Sequence, residues 1–377
     1  MSERAGPVLA TRAHADFALA LHRAAAAAGD RGVCWSPYSV AVALGLAATA
    51  ARGPTREELL TMLAGAPDAA VDALAEPLRL AAELDSDSGE AELHLASTAW
   101  LHADLEVAEG FAAALARWPS GALGTFGSDL EQARRKINAD VAETTRGLIP
   151  ELLSEGVLGP QTVALLVSAL YLKAAWWYPF DERATRPRRF TAPSGPVEVP
   201  TMEVVAELGY ARTDRWQIVT LPARGGVDAV ILLPHGPLGD AEAALTAAEL
   251  DDALVASLSK RLRLRLPRLR LEWSARLSAP LAALGARTMF DPVRADLTGL
   301  TPARPAWVEE VVHQAVLRID EQGLEGAAAT AMIVALRALV TPPAEPLLVE
   351  VNRPFLLLVR HRRTGVIYFL TRVSDPS

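Results

Sequence analysis

A single cysteine, Cys34, in 377 residues excludes an intrachain disulfide and any thiolate cluster for a metal. It lies in the apolar run Val33-Cys34-Trp35, which reads as an inert buried thiol. Lysine is almost as scarce, with only Lys136, Lys173 and Lys260. Beside so much alanine, this reads as the coding bias of a GC-rich genome, so arginine in place of lysine says little about function. Basic charge is short overall: 37 Lys and Arg stand against 45 Asp and Glu, a net charge of −8 that argues against a nucleic-acid partner. No apolar run is long enough to span a bilayer, so no membrane partner is expected. Phe17 to Ala28 is broken by His22 and Arg23 and lacks a signal-peptide pattern. The expected location is the cytoplasm, or outside after release by another route. The chain also lacks a Gly-x-Ser-x-Gly elbow, a His-Glu-x-x-His pair, a phosphate-cradling loop and a dinucleotide fingerprint. Its seven histidines have no ligand spacing. Neither an enzyme nor a cofactor is expected.

Hydrophobic residues make up 51% of the chain, enough for a large core, and no linker, repeat or charged block divides it. Residues 1–377 are expected to form one domain. Phe17 to Ala28 predicts an amphipathic helix. Ser36-Pro37 predicts an N-cap with proline at the first helical position, opening an apolar helix to about Ala51. Thr55-Arg56-Glu57-Glu58 has the form of a capping box. Leu93 to Leu101 reads as a strand and Asp129 to Thr145 as a helix. Gln161 to Leu172 has the unbroken apolar character of a strand buried on both faces. Asp228 to Leu233 reads as a short strand, Leu262 to Leu271 as one half-exposed edge strand, and Phe355–Arg360 with Val366–Leu370 as a hairpin. Helices first and antiparallel-looking strands later give an α+β architecture.

One stretch fits neither core nor tight loop. After a strand-like Ala315 to Ile319, roughly twenty residues pass, from Glu321 to Pro342-Pro343, without turn chemistry, a length usually tied to function or mobility. Its alanines also permit a surface helix from Glu325 to Leu339. Read as a strand, positions 324, 326, 328, 330, 332 and 334 are Leu, Gly, Ala, Thr, Met and Val, a face without charge, while Glu325 and Arg337 lie on the other. Such a segment can enter a sheet, and Leu324 to Arg337 would extend by ~46 Å.

These residues resemble the serpin family. The resemblance lies in Val312-His313-Gln314-Ala315-Val316-Leu317, the hinge Glu321-Gln322-Gly323-Leu324-Glu325-Gly326-Ala327-Ala328-Ala329-Thr330, and Asn352-Arg353-Pro354-Phe355-Leu356. Ser36-Pro37-Tyr38-Ser39, Ile137-Asn138, Thr145 to Ile149, and Leu172 to Trp176 with Pro179-Phe180 extend it over almost the whole chain. It implies a bacterial-type inhibitory serpin with three β-sheets, about nine helices, and a metastable native state carrying an insertable reactive loop at about 321–346. It also implies a suicide substrate, whose loop is attacked by a serine protease and then inserts as a strand before deacylation.

Family spacing from Gly323 implies attack at Arg337-Ala338, and arginine suits a trypsin-like pocket that ends in a carboxylate. A shift of one residue would present Leu336 instead. The resemblance further implies a polar gate under the sheet made by Ser36, Ser39, Ser168 and His313. At the top of the sheet it implies an opening made by Trp176, Arg268 and Glu321, with an ion pair expected between the last two.

This chain also departs from the family. Ser168 stands where asparagine is usual, shortening the gate's reach. Leu324 stands at the first inserting position, where inhibitors mostly carry threonine, and its bulk would slow insertion. Thr371 replaces a common glycine. A non-inhibitory serpin, acting as a protease substrate or as a binding or chaperone-like protein, is the alternative; the small Gly326 to Ala329 favour inhibition. Arginines 261, 263, 265, 268 and 270 are expected to be a solvated strand face. No strong heparin-type site is expected, because the helix after Asp68 is acidic, and the chain is expected to be a monomer.

Overall fold

A computed structural model describes residues 5–26, 32–85, 90–159, 162, 164–302, 306–324 and 345–377. Along the chain run α1 (Ala5–Ala26), β1 (Val33–Trp35), α2 (Pro37–Ala50), α3 (Gly53–Ala64), α4 (Val71–Ala82), β2 (Ala91–His102), α5 (Phe111–Leu115), β3 (Gly121–Phe126), α6 (Leu130–Thr144) and β4 (Ala164–Ala175). There follow β5 (Arg186–Ala192), β6 (Gly195–Arg212), β7 (Trp216–Ala223), β8 (Val227–Pro234), α7 (Leu238–Ala244), α8 (Ala247–Val255), β9 (Leu258–Pro267), β10 (Leu269–Arg276) and α9 (Ser278–Ala283). The last strands are β11 (Glu310–Ile319), β12 (Gly323–Leu324), β13 (Leu347–Glu350), β14 (Phe355–His361) and β15 (Ile367–Val373). Nine α-helices thus occur among the described residues. None of the described helices is long and apolar enough to cross a membrane.

Six strands form one sheet in the order β10-β11-β12-β4-β2-β3. The others join in the order β1-β15-β14-β8-β7-β6-β9-β13, with β5 paired to β6. In the larger sheet, β6 links two sets of strands. Eighteen residues long, it pairs with β5 and β9 along most of its length and with β7 through Gly209–Arg212.

α2 explains the core. Ser36 caps it, its Oγ accepting from Ser39 N, and Pro37 fixes the first turn. The helix is apolar all round and nearly every residue is buried, as a helix inside a large core must be. It lies under the six-stranded sheet, while α6 covers the other face with Ile137 and Val141 against Leu165, Val167, Val312 and Val316. β4 is therefore buried on both sides, which accounts for its unbroken apolar run.

Two local expectations are corrected. Thr55 is not an N-cap: α3 begins at Gly53, and Thr55 Oγ1 instead accepts from Asp296 N at 3.0 Å. Leu262 to Leu271 is not one edge strand. Pro267 ends β9, which lies between β6 and β13, and the chain crosses at Arg268 into β10, the margin of the other sheet. A proline cannot donate to a ladder, and here it marks the change of sheet.

Candidate functional site

The site lies where β4 and β11 stop pairing with each other. At their lower ends they run parallel, with Glu310 to His313 opposite Leu165 to Ser168. At the top β12 stands between them, antiparallel to both: Gly323 opposes Ala175, and Leu324 opposes Ala174 and Ile319. Between those levels, five positions on β4 (Ala169–Lys173) and five on β11 (Gln314–Arg318) face a slot, with no strand between them among the described residues. At about 3.3 Å per residue the slot is ~17 Å deep.

Leu324 is fully buried and belongs to the same core as Leu172, Ala174 and Trp176. Alternation therefore sets the even-numbered face of this strand toward the core. Gly323 is required by contact: a Cβ there would lie 2.3 Å from Ala174 O. Its amide and that of Gln322 donate to Asp320 Oδ1, which closes a tight turn after β11.

The upper rim is held by three residues. Arg268 Nε donates to both Glu321 oxygens at 2.8 and 2.9 Å, and its Nη2 lies 2.7 Å from Oε1. Thr185 Oγ1 donates to the same Oε1. Burial opposes ionisation of Glu321, but the bonds from Arg268 and Thr185 outweigh it and lower its pKa below the usual carboxylate value. Trp176, at the end of β4, donates from its backbone N to Gln322 O and from its indole Nε1 to Asp320 O, each at 2.9 Å. The hinge is thus tied to β4 from one side and to the β9–β10 crossing from the other.

The floor of the slot is His313, opposite Ser168. The backbone N–H of Ser36 donates to His313 Nε2 at 3.0 Å, so that nitrogen carries no proton and the ring is neutral. Nδ1–H then donates to Ser168 O at 3.2 Å. Burial pushes the imidazole down to about 4, consistent with the neutral form. Trp35 stands edge-on to the ring at 6.4 Å. Ser39 reaches Ser36 but not the histidine: its Oγ donates to Ser36 O at 3.3 Å.

Ser168 joins the cluster through its carbonyl alone. Its buried Oγ has no hydrogen-bond partner among the described residues, and neither has that of Ser97, its cross-strand neighbour on β2. Sequence reasoning missed Ser97 and Thr185, since Ser97 is identified by its pairing across strands and Thr185 by its hydrogen bond to the distant Glu321, neither of them by spacing. Alternation along β2 would have set Ser97 on the core face, but not opposite Ser168.

Trp176, Arg268, Glu321, Gly323 and Leu324 are therefore brought together at the top, and Ser36, Ser39, Ser168 and His313 at the floor. The bait pair Arg337 and Ala338 and the hinge residues Glu325, Gly326, Ala327, Ala328, Ala329 and Thr330 lie outside the described residues. Among the described residues no cluster could hold a metal ion.

Comparison with known proteins agrees with this geometry. A family model described as Serpin (serine protease inhibitor) matches residues 12–376. Leukocyte elastase inhibitor of Sus scrofa is 32% identical, over 97% of this chain and 98% of its own length. Iripin-8 of Ixodes ricinus is 32% identical over 90% and 87% of the two chains. A serpin-like protein of Thermococcus kodakarensis is 30% identical over 93% and 82%. Human thyroxine-binding globulin, solved with thyroxine, has the same fold, with a TM-score of 0.87 at 24% identity over 99% of this chain and 100% of that one. The chain belongs to the serpin family, whose members are in general protease inhibitors.

Proposed function

We propose that this serpin is a monomeric suicide-substrate inhibitor of a trypsin-like serine protease, attacked at the Arg337-Ala338 bond. The observation that carries the reading is Leu324, seated between β4 and β11 with its side chain in the core. The strand that an inserting loop would extend is thus begun between β4 and β11, with Leu324 facing the core. Continued along the sequence, the same alternation gives the inward face Gly326, Ala328, Thr330, Met332 and Val334, none of them charged.

The chemistry belongs to the protease. Its serine oxygen adds to the Arg337 carbonyl carbon, and the C–N bond to Ala338 breaks as the new amine takes a proton from the protease histidine. Arg337 is left as an ester on the protease. The freed loop then fills the slot and parts the strands below it, drawing the protease along before water can release the ester. The arginine guanidinium is read by a carboxylate in the protease pocket.

Leu324 alters the expectation drawn from its bulk. Its burial is already complete in this state, so the first step of insertion is not the burial of leucine. Incubation with trypsin should yield an SDS-resistant covalent complex and a released fragment beginning at Ala338. Full inhibition by Arg337→Ala would refute the bond assignment. Cleavage at Arg337 without a complex would establish the substrate reading, for which the unsatisfied Ser168 and Ser97 hydroxyls at the floor offer a reason.

A further inference from the structure

The far end of α2 bears a second feature, unrelated to the loop. A recess of about 350 Å³ is lined by Thr49, Arg52, Arg56, Val71, Ala114 and Arg117, at the junction of α2, α3, α4 and α5. Three arginines therefore line one concavity in a protein whose net charge is −8. We propose that this recess binds a compact, multiply charged oxyanion of the phosphate or sulfate class.

Two of the arginines are held in place. Arg52 Nη1 donates to the carbonyls of Thr49, Ala50 and Ala51 at 3.1, 3.4 and 2.8 Å, and Arg56 Nη1 donates to Ala48 O at 3.1 Å. These are the last carbonyls of α2, the partially negative end of that helix, which attracts cations. All four bonds fall on Nη1. A guanidinium has five N–H donors, so Nε and Nη2 of both residues keep theirs free of protein partners among the described residues. Neither arginine has a carboxylate within 4 Å among the described residues. Arg117 has one, Asp72 at 3.1 Å, in a pair whose side chains are 60% and 70% exposed. An exposed pair of this kind is weak and readily exchanged for a better anion.

The chemistry selects the ligand. Planar guanidinium forks match tetrahedral oxyanions in bidentate fashion. Three arginines around one recess, with two fixed by backbone carbonyls, favour a compact ligand carrying more than one negative charge. The volume lies at the lower end of the range for small-molecule sites. A long polyanion would instead require a continuous basic track, whereas the neighbouring α4 carries Asp72 and Glu76.

Isothermal titration of the full chain with inorganic pyrophosphate, in low-salt chloride buffer, tests the proposal. Saturable one-site binding is expected. It should weaken about tenfold in Arg117→Gln, which loses one charge-assisted contact, and also in Arg56→Gln. Asp72→Asn should tighten it, because the competing carboxylate is gone. Both Arg117 and Asp72 are exposed, so these variants fold. Arg261→Gln, on an exposed strand far along the chain, should leave binding unchanged. Inorganic phosphate and glycerol 2-phosphate, titrated separately, distinguish a free ion from a phosphomonoester as the natural occupant, and binding of either supports the class. The proposal is overturned by no saturable binding to the wild type, by Arg117→Gln binding as tightly, or by Arg261→Gln losing as much as Arg117→Gln.

Discussion

Replacing Leu324 by alanine isolates the energy that seats the hinge. The side chain is fully buried, and truncation removes three carbons from the core, about 2.4 kcal/mol at ~0.8 kcal/mol for each. A rigid site would add a cavity term and raise the loss toward ~5 kcal/mol. Only Gly323 and Leu324 of this strand are among the described residues, however, and if that short piece withdraws the loss is limited to the cost of unseating it. The effect is therefore local. Native-state hydrogen exchange reads it at the amides of Trp176 and Asp320, which donate to Gln322 O and Gly323 O. Their protection should fall about 50-fold, the equivalent of 2.4 kcal/mol. Amides of the β14–β15 pair should not change. An equal loss across the whole molecule, or none at Trp176, would refute the idea that leucine anchors a separable hinge.

Gly323→Ala should unseat the same strand by a different route, since its Cβ would sit 2.3 Å from Ala174 O; normal exchange protection at Trp176 would show that the backbone accommodates it. Arg268→Ala leaves the buried Glu321 carboxylate with Thr185 as its remaining side-chain partner and should destabilise the rim by ~1–3 kcal/mol, measured by urea unfolding. Because the Glu321 pKa is lowered in the folded state, its contribution is present above the ordinary value of 4.5 and lost as pH falls through the folded value; Glu321→Gln should lack that acid-side decline. His313 and His14 act in the same direction, over a higher pH range. Both are held neutral by donated backbone N–H groups, from Ser36 and Ile367, and burial pushes both down to about 4. Their folded-state pKa values lie below the unfolded value of 6.5, so stability is full above 6.5 and declines as pH falls from there to about 4. His313→Gln should reduce that slope by up to about 1.4 kcal/mol per pH unit, and an unchanged slope between pH 4.5 and 6 would exclude the assignment.

Much of this arrangement was legible in the sequence because its signals are local. Ser36-Pro37 states a helix start in two residues, and the apolar run of β4 states burial on both faces. The grouping of Arg268 with Glu321, 53 positions apart, came from family resemblance and from no periodicity. What stayed hidden depends on partners. Arg268 stands at a change of sheet, where the leucines shift from positions 262, 264 and 266 to 269 and 271, but a shift of one residue at Pro267 is equally the mark of an interrupted single strand. Thr55 has the residues of a capping box, but Pro54 at the helix start and the nearby Asp296 amide claim the roles instead. Ser97 acquires meaning only when β2 pairs with β4.

The slot can also be counted in rungs. Below Leu324 five rungs separate it from the first β4–β11 pair among the described residues, and the sixth is the level of Ser168 and His313. In the proposed mechanism the residues that take those five rungs are Glu325, Gly326, Ala327, Ala328 and Ala329, and Thr330 arrives at the sixth. Filling the five displaces no β4–β11 pair, since among the described residues these strands pair with each other only below that level. From the sixth onward each new rung must displace a β4–β11 pair, trading one set of backbone bonds for two, and the first such exchange also removes the imidazole from Ser168. Insertion is thus divided by the structure itself into a filling phase and an exchange phase. In that mechanism the boundary between them falls on the level of His313.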